Sequence, residues 1–242
     1  MNDAERQPDR KTEPHRIAAR IQSTLISNSL TNAQWEAHIA ECLQYGFHAA
    51  MIPGAWVRKT AKALRGSSIR TASFVDFPLG AMTSAGKAYE AAHLVEEGAD
   101  EIDLMPNVGF LLSAMEKEYF DDIHGVVEAA GSVPVKIMLE LPLLSASQKL
   151  RAVALSIEAG VAYLKNASGG AVGMAIPEDI RFLRELAPPH IRVKASGGIK
   201  TAQHVRELLA AGADLVGTSS GVQIVKELKG ESVPDQKQTI SY

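Results

Sequence analysis

Short apolar runs alternate with amphipathic stretches along the chain, and no Pro/Ser-rich linker divides them. The apolar runs fall at residues 16–26, 47–53, 69–77, 101–107, 135–141, 162–167, 191–196 and 215–219, the first being the weakest. Helix signals lie between most of them. Thr31 with Gln34 makes a capping box before Trp35, Ile39, Cys42 and Leu43, which share a helical face, and Gly46 is placed to end that helix. Ser145 with Gln148 repeats the signal and Gly160 ends that helix, while Thr201 caps VRELLAA and Gly212 stops it. Eight strands alternating with helices predict an α/β fold with one closed (β/α)8 TIM barrel, spanning residues 16–226. The length of 242 residues suits one such domain. A doubly wound sheet is the alternative, but no GxGxxG follows the first strand.

Residues 1–15 are polar and mixed in charge, without an apolar signal core, and read as a disordered arm. Residues 227–242 read as a polar C-terminal tail. No apolar run is long enough to span a bilayer, so a cytoplasmic location is expected. The 25 basic and 28 acidic residues leave a formal charge of −3, which favours neither nucleic acid nor an acidic membrane as partner. A small anionic substrate is compatible, because its binding depends on local groups. The single cysteine, Cys42, excludes an intrachain disulfide and a Cys-based zinc cage, and it reads as a packed core thiol.

The strand parities carry the functional information. Ile102 and Leu104 oppose Glu101, Asp103, Met105 and Asn107; Val135, Ile137, Leu139 and Leu141 oppose Lys136, Met138 and Glu140. Ala162 and Leu164 oppose Tyr163, Lys165 and Ala167, and Val193 opposes Lys194. Four consecutive strands thus place charge on the parity opposite the helix-facing residues, which is the parity that points into a barrel. The interior would hold Asp103, Lys136, Glu140, Lys165 and Lys194. Paired charges filling a polar core, or a register slip, would explain one strand; the same slip in all four is a poorer account than an active site.

Lysines beside an aspartate suggest Schiff-base chemistry. A lysine of low-polarity surroundings near a second cation loses its proton more readily, and its neutral amine attacks a carbonyl. The iminium then withdraws electrons, and a neighbouring C–C bond breaks or forms through an enamine. A carboxylate such as Asp103 can shuttle the protons. The chain offers no HxH or HExxH spacing and its seven histidines are scattered, so neither a metal site nor a cofactor is expected. SGGIK (196–200) and GTSSG (217–221) fall at the ends of the seventh and eighth strands, where barrels commonly hold a phosphate on backbone N–H groups.

The stretches VKASGGIKT, GTSSGV, ADEIDLMPNVG, YLKNASGG and FPLGA resemble motifs of the deoxyribose-phosphate aldolase family, class I aldolases on a β/α barrel. The resemblance runs from about Ile21 to Val225. It implies that Lys165 forms the Schiff base and that Lys194 is the neighbouring cation favouring its nucleophilic form. It implies that Asp103 is the proton-relay aspartate, and that Gly169, Gly197, Gly198, Gly217, Ser219 and Ser220 bind phosphate. The expected reaction is reversible cleavage of 2-deoxy-D-ribose 5-phosphate to D-glyceraldehyde 3-phosphate and acetaldehyde, with a homodimer as the expected assembly.

The chain departs from the family pattern in four places. Asn166-Ala167-Ser168 stands where Thr-Ser-Thr is usual, Gln22 where an Asp is usual, Gly170 where some members have a lysine, and Leu141 where a Thr follows the glutamate. These departures keep two alternatives open: a related Schiff-base aldolase with a different aldehyde or sugar, and a non-catalytic phosphosugar-binding barrel. The chain ends in Ile240-Ser241-Tyr242, and some family members end in a tyrosine that assists proton exchange, so Tyr242 is a further catalytic candidate.

Overall fold

The structure is a computed structural model and describes residues 12–231; residues 1–11 and 232–242, with Tyr242 and most of the expected arm and tail, lie outside it. In chain order the elements are α1 (Glu13–Ala18), β1 (Ile21–Thr24), α2 (Asn32–Tyr45), β2 (Ala49–Met51), α3 (Val57–Leu64), β3 (Arg70–Val75), α4 (Ser84–Glu96) and β4 (Glu101–Leu104). Then follow α5 (Val108–Leu112), α6 (Glu116–Ala130), β5 (Val135–Met138), α7 (Ala146–Glu158), β6 (Tyr163–Lys165), α8 (Pro177–Leu186), β7 (Arg192–Ser196), α9 (Ala202–Ala210), β8 (Leu215–Thr218) and α10 (Gly221–Leu228). The eight strands close into one parallel barrel in sequential order, with β8 pairing back onto β1 through Gln22 and Gly217. The expected TIM barrel is observed.

The caps act where the sequence places them. Thr31 and Ser145 each accept from the backbone N–H three residues on, completing capping boxes with Gln34 and Gln148. Gly46 takes the left-handed conformation, φ +65°, that closes α2.

The N-terminal boundary differs from expectation. Residues 13–18 are neither arm nor strand but α1, with Pro14 in its first turn, where a missing N–H costs nothing. Ile17 and Ala18 are buried in the core and Arg206 pairs with Glu13 at 2.7 Å, so α1 seals the barrel against α10. The fifth strand is also shorter than expected. It ends at Met138; Glu140 turns into the left-handed region, φ +51°, and Leu141 opens a short 3-10 turn.

The parities hold. Ile102, Leu104, Ile137, Leu139, Leu164 and Val193 belong to the apolar core between sheet and helices. A separate small cluster, Ala49, Met51 and Ala72, alternates with core residues on β2 and β3 and fills the barrel interior there. The rest of the interior mixes Met138 and Tyr163 with charged side chains, and the candidate site residues lie there.

Candidate active site

Asp103 on β4 is 1% exposed and faces three lysines. Its Oδ2 accepts from Lys194 Nζ at 2.6 Å and from Lys165 Nζ at 3.0 Å; its Oδ1 lies 3.4 Å from Lys136 Nζ. Lys165 and Lys194 are register partners on β6 and β7, so two adjacent parallel strands aim both ammonium groups at one oxygen. Lys194 Nζ also donates to Gln22 Oε1 on β1. The structure thus brings together all three expected central residues.

The electrostatics follow from this crowding. Burial alone would push the Asp103 carboxyl up, but the charges of Lys194, Lys165 and Lys136 outweigh it and hold Asp103 far below the usual carboxylate range. Lys194 is pulled down to about 7, first by burial; Asp103 opposes the shift, and the charges of Lys165 and Lys136 add to it. Lys194 therefore stands between its two protonation states near neutral pH. Lys165 is the more accessible amine, its side chain 7% exposed against 2% for Lys194.

Below Asp103, toward the N-terminal end of the barrel, Lys136 Nζ pairs with Glu101 Oε2 at 2.7 Å. Glu101 Oε1 in turn meets His48 Nε2 at 2.8 Å and Arg70 at 2.9 Å. Burial pushes Glu101 up, yet Lys136 and His48 hold it well below the carboxylate range. The alternation of Glu101 with Asp103 signals an inward Glu101, but no sequence rule pairs it with Lys136.

The expected phosphate end is built from three loops. Gly197 and Gly198 take φ +115° and +63°, which side chains disfavour. The Gly197 carbonyl accepts from Ala175 N–H at 2.9 Å, folding the 169–175 loop over the turn. Gly170 then lies so close that a Cβ there would be 3.2 Å from the Gly198 nitrogen. A Cβ at Gly170 would therefore press on the Gly198 backbone. Asn166 fastens β6 to β7: its Nδ2 donates to Ser196 O at 3.0 Å and its Oδ1 accepts from Ser196 N–H at 2.8 Å. This two-way clamp is a function of Asn166 that the sequence does not reveal. Ser196 and Gly217 are register partners, so the ends of β7 and β8 lie side by side. Ser219 follows β8, and Ser220 stands at the N-cap of α10 without capping it through its side chain. Gly217 has a second constraint: a Cβ there would lie 2.5 Å from Ser196 Oγ and 3.0 Å from Lys194 Cε. Gly169, Gly197, Gly198, Gly217, Ser219 and Ser220 thus fall on three adjoining strand ends, while Tyr242 lies outside the described residues. Among the described residues no helix is long and apolar enough to cross a membrane.

The family model described as DeoC/LacD family aldolase matches residues 33–227. The chain belongs to that aldolase family. It is 39% identical over 87% of its length to a deoxyribose-phosphate aldolase of Geobacillus sp. (strain WCH70), covering 95% of that protein. It is 37% identical over 88% of its length to the corresponding enzyme of Staphylococcus carnosus, covering 96% of it. Among solved structures, the deoxyribose phosphate aldolase of Aeropyrum pernix, described as a tetramer, superposes with a TM-score of 0.82 at 30% identity. That match covers 91% of this chain and 95% of the other.

Proposed function

We propose that the protein is a class I aldolase that reversibly cleaves 2-deoxy-D-ribose 5-phosphate to D-glyceraldehyde 3-phosphate and acetaldehyde. The observation that carries this reading is the shared oxygen of Asp103, which holds two buried lysines side by side at the centre of a barrel of the aldolase family. An idle pair of lysines buried around one carboxylate would be a net cost.

Lys165, the more accessible amine, attacks C1 of the open-chain sugar. Loss of water gives the iminium, which draws electrons from C2. A base takes the proton of the C3 hydroxyl, the C2–C3 bond breaks, and D-glyceraldehyde 3-phosphate leaves. The enamine on Lys165 is protonated at C2, and hydrolysis frees acetaldehyde. Asp103, ionised throughout, orients both amines and stabilises the iminium charge. Lys194, poised near pH 7, is the group that gives and takes protons beside Lys165. The C5 phosphate extends to the loops at Gly169, Gly197, Gly198, Gly217, Ser219 and Ser220, where backbone N–H groups and the two serine hydroxyls receive it. A homo-oligomer agrees with the described tetramer of the Aeropyrum pernix relative, and a homodimer is the smallest form of it.

The test is borohydride reduction in the presence of acetaldehyde followed by peptide mass spectrometry. A stable adduct on Lys165 is expected, with activity on deoxyribose 5-phosphate unchanged by EDTA. An adduct on another lysine, or none, refutes the assignment.

A further inference from the structure

The site contains a second carboxyl whose environment is the reverse of that around Asp103. Glu140 follows β5 and is fully buried. Met138 is the register partner of Lys165, and Asp103 is that of Lys136. Glu140 is therefore two residues beyond the level of Lys165 toward the C-terminal mouth, whereas Asp103 pairs two residues below that level. Glu140 and Asp103 thus stand on opposite sides of the Lys165 level along the barrel.

The chain keeps Glu140 there at some strain. Its backbone is left-handed, φ +51° and ψ +46°, without being glycine. Hydrogen bonds from Leu139 N–H to Lys165 O and from Leu141 N–H to Asn166 O, both 2.9 Å, fix the turn on either side. The carboxyl Oε1 accepts from Ser168 N–H, three residues after Lys165. The other oxygen, Oε2, is buried and has no hydrogen-bond partner among the described residues. An orphaned carboxyl oxygen in a strained turn beside the reactive lysine is the pattern of a group kept for chemistry rather than for packing.

We propose that Glu140 is the acid that protonates the departing hydroxyl when the substrate carbonyl condenses with Lys165. The inference rests on the Schiff-base reading of Lys165 given above. In the carbinolamine the C–O bond breaks, the nitrogen lone pair forms the C=N bond, and the Glu140 proton leaves with the hydroxyl as water. In the later hydrolysis a water adds to the acetaldehyde iminium and returns its proton to the Glu140 carboxylate. The group is thus restored within one turnover, with no outside acid required.

The opposed environments support the division of labour. Burial raises Glu140 above the ordinary glutamate value, and this is opposed by the Ser168 N–H and hydroxyl and by the charge of Lys165. Asp103, held ionised by three lysines, has no proton to lend at neutral pH. Of the two carboxyls, Glu140 is the one shifted toward its protonated form.

Glu140→Gln keeps an oxygen for the Ser168 N–H but removes the transferable proton. Rapid-quench borohydride trapping with acetaldehyde should show adduct formation on Lys165 slowed by about a hundred-fold, with the same adduct reached at long times. Formation at the wild-type rate overturns the proposal. Should that variant fail to fold by circular dichroism, Glu140→Asp keeps an acid but withdraws it by one methylene, and the same slowing is expected and the same null result is fatal. If wild-type protein traps no adduct on Lys165, the Schiff-base reading fails instead, so the two failures are distinguishable.

Discussion

Lys165 and Lys194 donate to the same oxygen of Asp103, at 3.0 and 2.6 Å, from register-paired positions on adjacent strands. One carboxylate oxygen shared by two ammonium groups cannot satisfy both charges fully. The burden falls on Lys194, which is more buried and whose value drops to about 7. The pair is therefore asymmetric, and its members should fail differently.

Lys165→Met should abolish borohydride-trapped adduct at every pH and reduce turnover to background. Lys194→Met should still yield adduct on Lys165, with turnover lower by about 10²–10⁴ and its optimum moved to higher pH. Mass spectrometry of the trapped protein and a pH–rate profile check both. Exchange of the two behaviours would reverse the roles.

The same asymmetry sets a stability prediction. A free lysine holds its proton to about pH 10, whereas folded Lys194 releases it from about 7. Between those values the unfolded chain binds the extra proton, so stability from this group rises with pH across that window. Below pH 7 both states are protonated and the full cost of burying the charge remains. Lys194→Met should flatten this slope, so that its stability relative to the wild type is higher at pH 7 than at pH 9. Thermal melts of both proteins at pH 7 and 9 measure it; an unchanged slope contradicts the argument.

Asp103, Lys165 and Lys194 were legible because strand alternation is a period of two, and a charge on the inward parity is visible in any correct register. The barrel was legible from the capping boxes and the unbroken strand–helix alternation. What failed was local. Residues 13–18 carry a helix whose buried face is only three residues, Pro14, Ile17 and Ala18, too short for a periodicity to register. Glu140 matches the inward parity but leaves the strand, because its left-handed turn depends on hydrogen bonds to β6 that no local pattern encodes. Gln22 and Asn166 registered only as departures from a family pattern. Their partners, Lys194 and the Ser196 backbone, lie 172 and 30 residues away.

The Asn166 clamp can be tested directly. Asn166→Ala leaves the Ser196 N–H and C=O without their side-chain partners in a buried setting, at a cost of about 2–4 kcal/mol. Because Ser196 precedes the Gly197–Gly198 turn, KM for the phosphosugar should rise more than kcat falls. Thermal melts and steady-state kinetics decide it. A variant as stable as wild type, with unchanged KM, would mean that the clamp holds nothing that matters.

Gly217 was expected to bind phosphate, yet it also packs against Ser196 and Lys194. A methyl group there would stand 3.0 Å from Lys194 Cε and 2.5 Å from Ser196 Oγ, both tighter than ordinary packing allows. Ser196 Oγ has no hydrogen-bond partner among the described residues and can turn aside, so the remaining contact falls on Lys194. A shift of that side chain by a few tenths of an ångström loosens its 2.6 Å contact with Asp103, and misplacement of a reacting group lowers the rate. Gly217→Ala should therefore lower turnover of 2-deoxyribose 5-phosphate and of unphosphorylated 2-deoxyribose by similar factors. Ser219→Ala and Ser220→Ala should raise KM for the phosphorylated sugar alone. If Gly217→Ala instead harms only the phosphorylated substrate, the residue serves the phosphate and the steric argument is wrong.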